Sequence, residues 1–248
     1  MDSGGKMMTD VLDALANKGF IGVKIYPPIG FYPYGNVEFG KPYGKKFMMA
    51  APQYDSHMLA LFRECGKLNA PVMAHANKSM GRNNEWDSGS KPEGWGTLVK
   101  QLALEQQTPI VNLGHFAGDY GFQGDWQPKF AALMTGAGTS KMFADLGNWK
   151  RLRSCVADSG CEALKRLNET IAHYPGVEKK LMYGSDWFMM IKSANWQDYA
   201  GDLAQALRGM DLDALFYRNA INCYDLGPGG VRRAAVEKHL GYVPDWLV

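Results

Sequence analysis

Four polar residues stand at or beside the ends of short apolar runs: His75 closes PVMAH, His115 closes PIVNLGH, Asp145 closes KMFAD and Asp186 closes KLMYGSD. A fifth run, FIGVKIYPP, carries Lys24. Two imidazoles, two carboxylates and an ammonium group can hold a divalent metal ion, or move protons to and from a carbonyl compound. From Lys24 to Asp186 the successive intervals are 51, 40, 30 and 41 residues. Each interval has room for a loop, a helix and a return. The five groups can therefore reach one end of a parallel sheet, the end at which β/α barrels do their chemistry.

The elements that must position them alternate along the chain. Side chains in a strand alternate between its two faces. On the first run Ile21, Val23 and Ile25 share one face, while Gly22, Lys24 and Tyr26 share the other. On the last run Met182, Gly184 and Asp186 share the inward face. Between the strands, apolar residues recur with helical period: Met58, Leu61, Phe62 and Cys65; Trp95, Leu98, Val99 and Leu102; Trp196, Tyr199, Leu203 and Leu207. Thr9 is placed to cap a first helix, and Ser159 with Glu162 forms a capping-box pattern ahead of Leu164, Leu167 and Ile171. Strands alternating with helices imply parallel pairing, hence an α/β fold of the TIM-barrel-like (β/α) type. The count is about five strands, whereas a closed barrel of this class has eight, so the expectation is an incomplete barrel whose inner face is open. The long stretch PPIGFYPYGNVEFGKPYGKK has no period and is expected to be a lid or wall of the site.

Composition excludes several classes. The net charge of +2 and the lack of a long Lys/Arg run argue against a nucleic-acid surface. No stretch has the roughly 18 consecutive apolar residues that span a bilayer, and the start has no signal-peptide core. The four cysteines show no Cys-x-x-Cys spacing and read as reduced thiols of a cytoplasmic protein. No shift in composition divides residues 1–248, which read as one domain.

At these same residues the chain resembles the amidohydrolase superfamily, in its amidohydrolase-related branch that includes aminocarboxymuconate-semialdehyde decarboxylase. GVKIYPP resembles the family's fourth strand, PVMAHA the fifth, VNLGHFAG the sixth and MYGSDW the eighth, with FYRNAINCYDLG resembling its closing helical segment. The resemblance runs across about 200 residues, from Gly19 to Leu226. It implies a metal-dependent TIM barrel. It also implies His75, His115 and Asp186 as ligands of a divalent metal, zinc by choice of donors, with His115 and Asp186 acting in catalysis. The family's first-strand His-x-His pair has no counterpart among His57, His75, His115, His173 and His239. The resemblance begins ahead of the fourth strand, so the chain is expected to lack the N-terminal barrel strands.

For substrate contacts the candidates are Lys24, Tyr26, Arg82 and Trp187. Lys24 is open between a carbamylated metal bridge, a binder of a substrate carboxylate and an internal partner of Asp145 or Asp186. Asp145 divides evenly between site and scaffold. The expected function is metal-dependent hydrolysis of a small carbonyl-containing substrate by metal-activated water. The alternatives are metal-dependent decarboxylation, or an inactive shortened barrel that needs a complementing chain or a second copy of itself.

Overall fold

The structure, a computed structural model, describes residues 3–40, 49–79, 84–121, 124–156 and 161–245. Five strands form one sheet: β1 (Val23–Ile25), β2 (Val72–His75), β3 (Val111–Gly114), β4 (Met142–Asp145) and β5 (Leu181–Met182). Every pairing is parallel and the spatial order is the chain order, β1 to β5. Among the described residues the sheet stays open at β1 and β5, so the architecture is an incomplete (β/α) barrel.

The register explains how the sequence builds two different faces. Val72, Ala74, Val111, Leu113, Met142 and Ala144 are all fully buried and belong to the main core. They meet helices α2 (Ala51–Lys67), α3 (Pro92–Leu104) and α4 (Trp126–Thr135), whose Phe62, Leu98, Leu102, Phe130 and Met134 join the same cluster. The opposite parity carries the polar residues. Lys24 pairs across to Met73, Met73 to Asn112, and Asn112 to Phe143. One pleat further towards the strand ends, His75 lies opposite Gly114, and Asp145 opposite Met182. Two rungs of the inner face thus hold the residues of interest, as the alternation in the sequence requires.

The inner face is not left bare as expected. Phe143 and Met182 form a second, smaller core with Cys223 at the end of helix α8 (Asn219–Cys223), with Ala220 and Tyr224 packed against it. Asn219 fixes this helix by donating from Nδ2 to the Leu181 carbonyl at 2.8 Å. An exposed apolar sheet face would carry an aggregation hazard, and α8 covers the β4–β5 part of it.

Several element boundaries depart from the sequence reading. Helix α1 runs Ser3–Asn17, so Thr9 lies inside it and its hydroxyl bonds the Gly5 carbonyl at 2.9 Å. Helix α6 (Glu162–His173) follows Cys161, while Ser159 lies outside the described residues. Strand β5 is short because the Tyr183 N–H leaves the ladder and donates to the Leu215 carbonyl at 2.6 Å.

The Tyr/Pro-rich stretch after β1 is folded onto the body and is not a free lid in its described part. Pro27, Pro28, Phe31, Tyr32 and Asn36 are buried. Buried Asp55 of α2 clamps it: Oδ1 accepts from the Gly35 N–H (3.0 Å), the Asn36 N–H (2.9 Å) and Asn36 Nδ2 (2.8 Å), and Oδ2 from the Val37 N–H (3.1 Å). The far part, residues 41–48, lies outside the described residues.

The cysteine reading needs correction. Cys155 and Cys161 are joined as a disulfide between helix α5 (Lys150–Ser154) and α6, while Cys65 and Cys223 are free and buried. Spacing alone hid this pair, because the two residues meet only where α5 ends and α6 begins. With it falls the cysteine argument for a reducing compartment. Among the described residues no helix is long and apolar enough to cross a membrane.

Candidate active site

Lys24, His115, Asp145, Asp186 and Trp187 line one cavity of about 350 Å³ at the C-terminal ends of the strands, together with Asn112, Gly184 and Tyr224. Each residue arrives by a different local device.

His115 follows β3 directly and begins a turn in which four consecutive residues have left-handed backbone: φ is +71° at His115, +40° at Phe116, +64° at Ala117 and +73° at Gly118. Three of these carry side chains that disfavour the region, at about 1–3 kcal/mol each, and such strain persists only where the surroundings impose it. Here they do. The His115 carbonyl accepts from the Gly118 N–H at 2.6 Å and from Trp149 Nε1 at 2.8 Å, and Ala117 N–H donates to the Ala76 carbonyl at 3.0 Å. Trp149 is in turn held through its backbone N–H by the Tyr199 hydroxyl (3.0 Å), which donates onward to the Leu146 carbonyl (2.8 Å). The His115 ring is fixed through Nδ1, 2.9 Å from the Gly147 carbonyl. That contact makes Nδ1 the protonated nitrogen and leaves Nε2 with a lone pair.

Asp145 is the hub of the site. It is 4% exposed, and its Oδ1 accepts the backbone N–H groups of His115 (3.1 Å) and Gly147 (2.9 Å). Its Oδ2 is buried with no hydrogen-bond partner among the described residues. Glycines make the room: a methyl on Gly147 would stand 2.8 Å from Asp145 Oδ1, 3.5 Å from His115 Nδ1 and 3.6 Å from Asp186 Cβ. A methyl on Gly184 would meet Asp145 Oδ1 at 2.8 Å and its Cβ at 3.0 Å. Because Asp145 is pinned by two backbone donors, it cannot give way. Gly184→Ala is expected to cost about 1–3 kcal/mol of stability, read as a lower urea midpoint, whereas Ala at the open Gly201 (a helical position with nothing within 4 Å) should cost nothing.

Asp186 stands at the start of the short helix α7 (Trp187–Met190) with φ +49° and ψ +51°, a region Asp tolerates better than most residues. It is half-buried, and Trp187 beside it is 66% exposed at the cavity rim. Lys24 enters from β1, and among the described residues no hydrogen bond or ion pair engages its ammonium. Desolvation by its neighbours lowers its pKa below the ordinary lysine value, and Asp145 and Asp186 oppose that shift.

His75 stands beside the cavity and not in its wall. Its ring lies 4.5 Å from that of His115, nearly edge-on, and 4.6 Å from that of Tyr26. Burial, with His115 and Lys24 adding to it, pushes the His75 imidazole down to about 3, while the Lys78 carbonyl near Nε2 opposes the shift. Arg82 lies outside the described residues. Three residues the sequence reading did not single out complete the arrangement: Asn112, Gly147 and Tyr224. Asn112 could have been found from its parity on VNLGH, whereas nothing local marks Gly147 or Tyr224.

Among the described residues no three His, Cys, Asp or Glu side chains are grouped to hold an ion. His75, His115 and Asp186 are therefore not gathered as the three protein ligands that a catalytic zinc site takes. Zinc added to this chain is therefore expected to be lost on dialysis. Retention of about one zinc per chain, measured by elemental analysis, would overturn that expectation.

No family model matches this sequence, and no curated protein matches it. Solved structures do align with it. A probable 2-pyrone-4,6-dicarboxylic acid hydrolase from Acinetobacter baumannii, crystallised with citric acid bound, aligns with a TM-score of 0.54 at 17% identity, covering 88% of this chain and 68% of that one. A candidate 2-pyrone-4,6-dicarboxylic acid hydrolase from Pseudomonas putida gives 0.47 at 18% identity, covering 82% and 62%. A zinc-bound amidohydrolase from Burkholderia multivorans gives 0.44 at 13% identity, covering 68% and 57%. The first of these likenesses shows a common fold. This chain spans between 57% and 68% of the length of these proteins.

Proposed function

We propose that the chain is a hydrolase of the amidohydrolase type that opens a small ester, lactone or amide. The observation that carries this reading is the meeting of Lys24, His115, Asp145 and Asp186 in one cavity at the strand ends. The strained turn that presents His115 supports it, because such strain is held in place by four separate hydrogen bonds. The fold shared with a probable 2-pyrone-4,6-dicarboxylic acid hydrolase adds to that support.

The chemistry assigned to the residues is acid–base and electrostatic. Water adds to the carbonyl carbon and its proton passes to the Asp186 carboxylate. His115, with Nδ1–H tied to Gly147, offers Nε2 to orient that water. The carbonyl oxygen becomes an oxyanion facing the unpaired Lys24 ammonium, a fixed charge in a partly desolvated cavity. The carbon–oxygen or carbon–nitrogen bond of the adduct then breaks, and the proton returns from Asp186 to the leaving atom. Asp145 carries no proton in this scheme; through its Oδ1 it holds the backbone of His115 and Gly147. Among the described residues no three-ligand set is present for the metal-activated water that the family resemblance implies.

The test is a screen of small lactones, esters and amides with the purified chain, following acid release by pH-stat. Opening of at least one class above the buffer rate supports the reading. Release of carbon dioxide from a carboxylated carbonyl compound, without ring or ester opening, would replace it with the decarboxylase alternative.

A further inference from the structure

Two buried acceptors in the cavity wall have no partner among the described residues. Asn112 is 3% exposed; its Nδ2 donates to the Tyr224 hydroxyl at 3.0 Å, and its Oδ1 is unpaired. Asp145 is 4% exposed, with Oδ1 doubly bonded to backbone N–H groups and Oδ2 unpaired. Both residues line the cavity. They lie on adjacent strands, one rung apart on the same face, because Asn112 is opposite Phe143 and Asp145 is two residues further along β4. Buried polar groups without partners are rare in native proteins, and each calls for an explanation. These two share one surface and one hydrogen-bonding sense, since both accept. They also stand among the acid–base groups: Asn112 shares the rung of Lys24, and Asp145 accepts the backbone N–H of His115.

We propose that this wall selects a substrate carrying a hydrogen-bond donor, a hydroxyl or an ammonium, next to its reacting carbonyl. Asn112 Oδ1 and Asp145 Oδ2 receive that donor, and the Asn112–Tyr224 bond fixes the amide's orientation for the purpose. The substrate class is thus a hydroxy- or amino-substituted lactone, ester or amide. A substrate lacking the donor leaves both acceptors desolvated and unpaired, which is the physical basis on which a polar site rejects such an analogue. This inference rests on the cavity being the binding site of the proposed hydrolase.

The experiment compares binding of γ-butyrolactone, its α-hydroxy derivative and homoserine lactone to the full chain by titration calorimetry, with ring opening followed separately by pH-stat. At least one donor-bearing lactone is expected to bind about 10-fold more tightly than the parent, a difference of about 1.4 kcal/mol. Which of the two prevails tells hydroxyl from ammonium. In Asn112→Leu that ratio is expected to fall towards one. Tyr224→Phe, which removes the amide's partner, is expected to lower it as well and serves if the first variant does not fold. Equal binding of all three lactones, no binding by any, or a ratio kept in the variants that fold would overturn the proposal. Tighter binding of the donor-bearing lactones with no opening of any would leave this inference standing and sink the hydrolase reading; opening of the parent with no discrimination would do the reverse.

Discussion

Asp186→Asn is expected to lower kcat on any lactone or ester the chain opens by about 10²–10⁴-fold, the usual size of a general base's contribution. The substitution isolates the proton-accepting role. Asn fills the same volume and, like Asp, tolerates the left-handed backbone that Asp186 adopts at φ +49°. The turn into α7 should therefore survive, where Asp186→Ala would mix strain with lost chemistry. Lactone affinity is expected to change little, because the amide still offers an oxygen to the cavity. The measurement is steady-state kinetics by pH-stat beside a urea unfolding curve for each protein. A variant with near wild-type kcat and unchanged stability would remove Asp186 from the mechanism, and the proposed water-activation step with it.

Acidification between pH 7 and pH 5 is expected to cost the protein about 2 kcal/mol through His75 alone. Burial is the main reason its folded-state pKa is pushed down to about 3, and the neighbouring His115 and Lys24 add to the effect. The unfolded chain restores the ordinary value near 6.5. Below pH 6.5 the unfolded state therefore binds a proton that the folded state refuses, and stability falls by up to about 1.4 kcal/mol per pH unit until the folded-state value is approached. Above pH 6.5 both states hold His75 neutral and the contribution vanishes. Urea unfolding at pH 7, 6 and 5 on wild type and His75→Gln checks this. The variant should lose about 2 kcal/mol less across the range, and parallel losses in the two proteins would show that His75 is not held neutral by the fold.

The five strands, their parallel order and the helices between them follow from short windows of sequence. PVMAH, PIVNLGH and KMFAD are apolar, β-branched or small, and bounded by turn residues, and each becomes a strand within a residue or two of the expected place. The two-residue alternation is equally local, so it correctly put Lys24 on the inward face and Ile25 in the core. Convergence of Lys24, His115, Asp145 and Asp186 then follows, because a parallel sheet brings all its C-terminal ends to one side.

What the sequence by itself determined is therefore the set of elements, the face each chemical group occupies, and the end of the sheet where they gather. The tertiary structure decided the rest. It made Asp145 the hub, because the room around its carboxylate depends on Gly147 and Gly184, which lie on separate segments. It bent His115 into a left-handed turn, which no single-residue propensity favours, and held it there through Trp149 and Tyr199. It paired Asn112 with Tyr224 across 112 positions, joined Cys155 to Cys161, and folded the Tyr/Pro-rich stretch against Asp55. It also set His75 beside the cavity instead of in a three-ligand group. These features depend on distances between atoms far apart in the chain. Periodicity and turn chemistry report only on neighbours, so a window of sequence can say which way a side chain faces but not what it will meet there.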